Sequence, residues 1–96
     1  MNARFLTQAL LDLDQAVAYY EAEQPGLGHD FEEEVFECVD RICLNPRAWA
    51  HISSNTRRCI TRRFPYGVIY QIRDDHILVI GIMHLSRHPD SWRNRS

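Results

Sequence analysis

The sequence predicts an α+β fold, a helical hairpin packed on a small antiparallel sheet, and three observations lead there. Residues 7–44 carry apolar side chains at helical spacing, interrupted once by Pro25, Gly26 and Gly28. Residues 56–84 carry short runs rich in Val, Ile and Tyr, separated by turn residues. The charge divides at the same place. Residues 1–45 hold ten carboxylates and two arginines, a balance of −8, whereas residues 46–96 hold nine arginines and three aspartates, a balance of +6.

Ninety-six residues suffice for one core. A single domain over 1–96 is expected, with the hairpin at about 7–44, a β-meander at about 56–84 and a tail at 85–96. An apolar share of 45% excludes a disordered chain. No run approaches the roughly 18 apolar residues of a membrane span, and the N-terminus has no secretory pattern. A soluble, cytoplasmic protein without a membrane partner follows as the expectation. Cys38, Cys43 and Cys59 are odd in number and lack C-x-x-C spacing, so they read as buried reduced thiols rather than a disulfide framework or zinc knuckle.

Taken in order, Ala3 to Leu6 is compatible with a brief edge strand. Thr7 stands where an N-cap belongs, and Leu6, Leu10, Leu13, Val17 and Tyr20 form one helical stripe, which predicts a first helix over Thr7–Glu23. Tyr19 and Tyr20 read as core or boundary aromatics. The break at residues 24–28 gives a tight turn. Phe31, Val35, Cys38 and Ile42 then predict a second helix over His29–Leu44, antiparallel to the first because the connection is short. Glu32, Glu33, Glu34 and Glu37 crowd its first half, where the helix dipole favours carboxylates, and no catalytic role is needed to explain them. Asn45-Pro46 ends it.

Residues 47–55 form a loop carrying Trp49. Residues 56–63 alternate as a strand whose buried face the few apolar residues leave open. Phe64-Pro65-Tyr66-Gly67 is a turn. A strand over Val68–Ile72 follows, with Tyr70 reading as core. After Asp74-Asp75 comes a last strand over Ile77–Met83, apolar on both faces and therefore central in the sheet.

Arginines at 57, 58, 62 and 63 precede the final hairpin, and His84, Arg87, His88 and Trp92 follow it, so a cationic surface frames the hairpin at both ends. All eleven cationic side chains are arginine, whose planar fork suits phosphate or carboxylate, although a bias in codon usage would give the same composition. His84 at a strand end reads, by residue type alone, as a hydrogen-bonded structural histidine before a functional one. His88 and Asp90 beside it do not make a metal site, because Pro89 imposes an irregular backbone and no further ligand has suitable spacing. Neither metal nor cofactor is expected. Arg57, Arg58, Trp92 and Arg93 are candidates for contact with a partner, with Arg93 and Arg95 equally readable as a solvated end.

These elements, together with Ala18-Tyr19-Tyr20-Glu21, Gly26-Leu27-Gly28 followed by Phe31, Asn45-Pro46 with Trp49, Arg57-Arg58, the run from Arg63 to Tyr70, and His84-x-x-Arg87-x-Pro89 with Trp92, are similar to the RelE/ParE superfamily of type II toxins. The resemblance spans nearly the whole chain, although the first strand is shorter than is usual in the family. It implies a growth-inhibiting toxin whose cognate antitoxin folds over it.

The superfamily divides into two activities. RelE-like members cut mRNA on the ribosome, and in this sequence His84, Arg87, Arg62 and Arg63 are the candidates for that chemistry, which needs a base, an acid and a cation on the phosphate. Gly67, however, stands where such nucleases place an arginine. ParE-like members bind DNA gyrase, need no catalytic set, and end their last strand as His84 and Arg87 do. The near-neutral net charge of −2 also fits that side, since ribosome-directed nucleases are strongly basic. The resemblance is therefore closer to ParE, with a nuclease and an inactive binding module as alternatives.

Overall fold

Six elements follow one another in the computed structural model, which describes residues 1–88 and 92–95. They are β1 (Asn2–Phe5), α1 (Thr7–Glu23), α2 (Leu27–Leu44), β2 (Arg57–Ile60), β3 (Tyr66–Ile72) and β4 (His76–His84). Pro89 and Asp90, which the sequence reading drew into the tail motif, lie outside the described residues, as do Ser91 and Ser96.

The first helix has the predicted bounds, but Leu6, not Thr7, is its N-cap, and no side chain caps it. The predicted stripe holds at Leu13, which is buried, and at Leu6, Val17 and Tyr20, which are partly buried against the apolar clusters, and it fails at Leu10. Ala9, Leu13 and Ala16 face the core while Leu10 is 45% exposed, because α1 lies close to its neighbours and small residues fit there better than leucine. The second helix begins two residues earlier than predicted. Gly26 takes a left-handed φ of +89°, and the Glu21 carboxylate accepts the Gly26 and Gly28 N–H groups at 2.9 and 3.1 Å. The end of one helix thus caps the start of the next.

The strand after the loop is shorter than its alternation implied. Thr61 leaves the ladder because its N–H and hydroxyl both close the following turn, the hydroxyl donating to the Phe64 carbonyl at 2.6 Å. Cys59 and Thr61 are buried, which settles the inward face. The sheet order is β1-β4-β3-β2. The last three strands form the antiparallel meander, and β4 is central as its two apolar faces required. The sheet is mixed rather than wholly antiparallel, since β1 pairs in parallel with β4 from Asn2↔His76 to Phe5↔Val79. A parallel pairing needs a long crossover, and the intervening chain, helices included, supplies it.

The helices cover one face of the sheet. Phe31, Val35, Cys38 and Ile42 of α2 and Leu13 of α1 join Cys59, Val68, Tyr70, Ile77, Val79 and Ile82 in the main core. Tyr20, Phe31, Phe64 and Tyr66 form an aromatic cluster at one end of it, with ring centroids 4.8–6.0 Å apart. A second, smaller cluster lies on the far face, where Ile69, Ile80, Met83 and Trp92 pack together.

A β-bulge at Ile80 separates these patterns. Ile69 pairs with Gly81 and Tyr70 with Val79, so Ile80 is the extra residue, and Val79 and Ile82 both face the helices although three apart. The groups freed by the bulge are satisfied from outside the sheet. Asp12 accepts the Ile82 N–H at 3.0 Å, Arg95 donates to the Ile80 carbonyl at 3.0 Å, and the two side chains pair at 2.6 Å. Arg95, expected at a solvated end, is instead half-buried over β4.

Candidate functional site

At the turn end of the sheet, the far face opens into a cavity of about 300 Å³. Its cationic lining is Arg58, His84 and Arg87, and its apolar lining comes from Ile52, Ile69, Met83, Leu85 and Trp92. The strand register explains the arrangement. Cys59 faces the helices, so Arg58, opposite Ile69, points to the far side. Beside it Gly67 has no side chain, and a Cβ there would lie 2.7 Å from the Arg58 Cγ and Cδ atoms. The stem of Arg58 therefore crosses β3 over Gly67, and the cation absent from position 67 arrives from the neighbouring strand.

His84 ends β4. Its Nδ1 accepts the Ser86 N–H at 3.0 Å and lies 2.7 Å from the Ser86 hydroxyl. With Nδ1 accepting, the ring carries its proton on Nε2. The imidazole also stands edge-on to Tyr66 at 5.2 Å. Arg87 follows in a turn closed by its N–H to the His84 carbonyl at 3.0 Å. Among the described residues neither Arg58 nor Arg87 has an ion pair, and no carboxylate lines the cavity.

His84 and Arg87 also border a second cavity, of about 220 Å³, toward α1, with Asp12, Gln15, Tyr19 and Tyr66. Burial pushes the Tyr66 phenol above its usual range, with Tyr19 adding to the shift and Arg87 opposing it. Tyr19, expected in the core or its boundary, is 59% exposed. On the far side of Trp92 a third cavity, of about 260 Å³, is lined by Ser53, Asn55, Thr56, Gln71 and Arg93.

The four residues singled out for nuclease chemistry do not converge. His84 and Arg87 share a cavity, whereas Arg62 and Arg63 lie in a different cleft with Asp30, Glu33, Glu34 and Glu37. Glu34 departs from the solvated run expected of its neighbours. It is only 5% exposed, and its carboxylate accepts both the Arg63 N–H and the Arg63 guanidinium, the latter at 2.9 Å. Burial works against its charge, but the Arg63 hydrogen bonds and charge outweigh it and hold the carboxyl below the usual glutamate range.

The proposed partner contacts also separate. Arg57 donates to the Arg47 and Trp49 carbonyls at 3.2 and 2.7 Å and fastens the loop. Arg58 joins the cationic cavity, and Arg93 stands exposed beside the third cavity. Trp92 is 7% exposed, packed against the sheet rather than presented from a polar tail. Tyr70 is core, as expected, and donates to the Pro46 carbonyl; burial raises its phenol to about 12, against the pull of Arg57. Cys38 and Cys59 are buried and free, and Cys43 is half-buried. Among the described residues, no three His, Cys, Asp or Glu side chains cluster as a metal site. No helix is long and apolar enough to cross a membrane. Sequence reasoning missed Ile52, Ile69 and Met83 as lining residues; Gly67 was the signal that pointed at the place.

Residues 3–89 match the family model described as the ParE toxin of the type II toxin–antitoxin system parDE. The chain is also similar in fold to a chain of the chromosomal ParDE TA system from P. aeruginosa, with a TM-score of 0.78 at 17% identity, covering 88% of this chain and 95% of that one. No curated protein sequence matches significantly. The helical hairpin, the sheet and a family match over nearly the whole length together place this chain in the ParE toxin family of type II toxin–antitoxin systems.

Proposed function

We propose that the chain is a growth-inhibiting toxin that acts in the cytoplasm by binding DNA gyrase and is neutralised by a cognate antitoxin, as its ParE membership implies. One observation carries the choice of target. Arg62 and Arg63 are held in an acidic cleft away from His84 and Arg87, so the phosphate clamp and acid–base pair of a ribonuclease are not assembled from the four candidates. A poison that grips a protein needs only a surface, and arginines without an ion pair among the described residues, set over an apolar floor, are suited to one. The net charge of −2 also disfavours a ribosome-bound life. An antitoxin segment that folds on binding is the natural inhibitor of such a surface.

The test is induction of the chain without its partner, combined with supercoiling assays on purified gyrase. Growth arrest with filamentation and DNA damage, inhibited supercoiling and intact mRNA are expected. Undiminished supercoiling in the presence of the protein would exclude gyrase as the target. One feature favours a second reading: Arg58 reaches over Gly67 to the position where a nuclease carries its own arginine. That reading requires cleavage at ribosome-positioned codons that disappears in His84→Ala with Arg87→Ala. Absence of any growth defect would leave an inactive binding module.

A further inference from the structure

We propose that the cavity bounded by Arg58, His84 and Arg87 is a binding site for a nucleoside monophosphate group, free or at the end of a nucleic acid strand. Arg58 and Arg87, whose guanidinium groups have no carboxylate partner among the described residues, line one space together with His84, whose Nδ1 is taken up by Ser86 so that Nε2 is left as its donor. A monocarboxylate would neutralise one of the two permanent charges. A phosphomonoester dianion matches both, and its three terminal oxygens suit donors arriving from two arginines and a histidine.

The charge is placed rather than general, because the whole chain is net negative. It is also prearranged: Gly67 lets the Arg58 stem lie across β3, which limits the freedom the guanidinium would lose on binding. The remaining lining specifies the rest of the ligand. Ile69, Met83 and Trp92 offer an apolar wall with an indole, to which a planar base adapts better than a polar headgroup. A volume of about 300 Å³ is at the small end for ligand sites, which suits one nucleotide unit. Beyond Trp92, Ser53 and Asn55 line the adjoining cavity, where a second nucleotide of a strand would meet polar groups. The site stands independently of gyrase as the target, since it concerns a small ligand and not growth arrest.

The test uses the purified full chain carrying Trp49→Phe, which leaves Trp92 as the sole indole. It is titrated with adenosine 5′-monophosphate, adenosine, inorganic phosphate, and a short single-stranded oligonucleotide with and without a 5′-phosphate, following Trp92 fluorescence and calorimetric heat. Saturable binding of the monophosphate is expected, with adenosine weaker by at least about tenfold and inorganic phosphate acting as a competitor. Arg58→Ala and Arg87→Ala should each weaken binding by about tenfold or more, and Arg58→Lys by less. Gly67→Ala, which displaces the Arg58 stem without requiring an unusual backbone, should weaken binding while the circular dichroism spectrum is retained.

If the 5′-phosphorylated oligonucleotide binds more tightly than the mononucleotide, the ligand is a strand end; equal binding identifies a free nucleotide. The proposal is overturned if the monophosphate gives no saturable change at millimolar concentration, if adenosine binds as well, or if the folded Arg58 and Arg87 variants bind as the parent does.

Discussion

On the helix side of the sheet, Phe31, Val35, Ile42, Val68, Tyr70 and Val79 belong to one continuous core, whereas on the far side the apolar cluster of described residues is smaller, with Ile69, Ile80, Met83 and Trp92 buried in it. Polar groups differ between the faces in the same way. The Tyr70 hydroxyl and the Glu34 carboxylate on the helix side are bound to partners within the fold. On the far side Arg58, opposite Ile69, borders a cavity that no carboxylate lines among the described residues. One face is filled and satisfied, and the other is covered by little more than a loop, a tail and the ends of arginines. The main core and the candidate site thus lie on opposite sides of the same strands.

The largest break in this comparison should come from Phe31→Ala, at the centre of the aromatic cluster. A loss of about 3–5 kcal/mol is expected, read from the urea midpoint. Truncating Glu34 to Ala should cost about 1.5–3 kcal/mol, because it leaves the Arg63 N–H without its acceptor and the turn after Thr61 loosened.

Acid supplies a second reading of the same contact. The folded-state pKa of Glu34 is depressed, so its contribution is present above the unfolded glutamate pKa and is lost as pH falls through the lower, folded value. Stability of the parent should therefore decline on acidification in that window. Glu34→Gln should show a shallower decline, and an equal slope in denaturation curves across that window would remove Glu34 from the account.

Smaller effects are expected at the β4 bulge and on the far face. Asp12→Ala leaves the Ile82 N–H and Arg95 without their acceptor, at a cost of about 1–3 kcal/mol, and amide exchange at Ile82 should quicken more than exchange in β3. Trp92→Ala removes a single cover residue and should cost about 2 kcal/mol with the helical circular dichroism signal unchanged. A Trp92 effect as large as that of Phe31 would show the two faces to be one cooperative core after all.

Much of this was legible in the residues. Period and turn chemistry gave both helices, the meander and the central place of β4, since a strand apolar on both faces has to be covered on both. The ends of elements were less legible where a distant partner decides them. Glu21 extends α2 backward by two residues, and Thr61 ends β2 early by closing a turn. Leu10 was misjudged because the pattern shows which residues share a face of a helix but not how near the neighbouring element will come.

The candidate site divides along the same line. That cations and histidine gather around the final hairpin is written in the order of residues 57–63 and 84–93. That Arg58, His84 and Arg87 meet while Arg62 and Arg63 leave for an acidic cleft depends on strand register and on the turn after Ile60, where one residue of offset changes the face. The bulge at Ile80 is the clearest case. Nothing in an unbroken apolar run marks where an extra residue sits, and only contacts with Asp12 and Arg95, 68 residues before it and 15 after it, settle its place. By itself the sequence determined the elements and the family, because these follow from local periodicity and motif. The tertiary structure decided which charges are free to act, because pairing in space sets that.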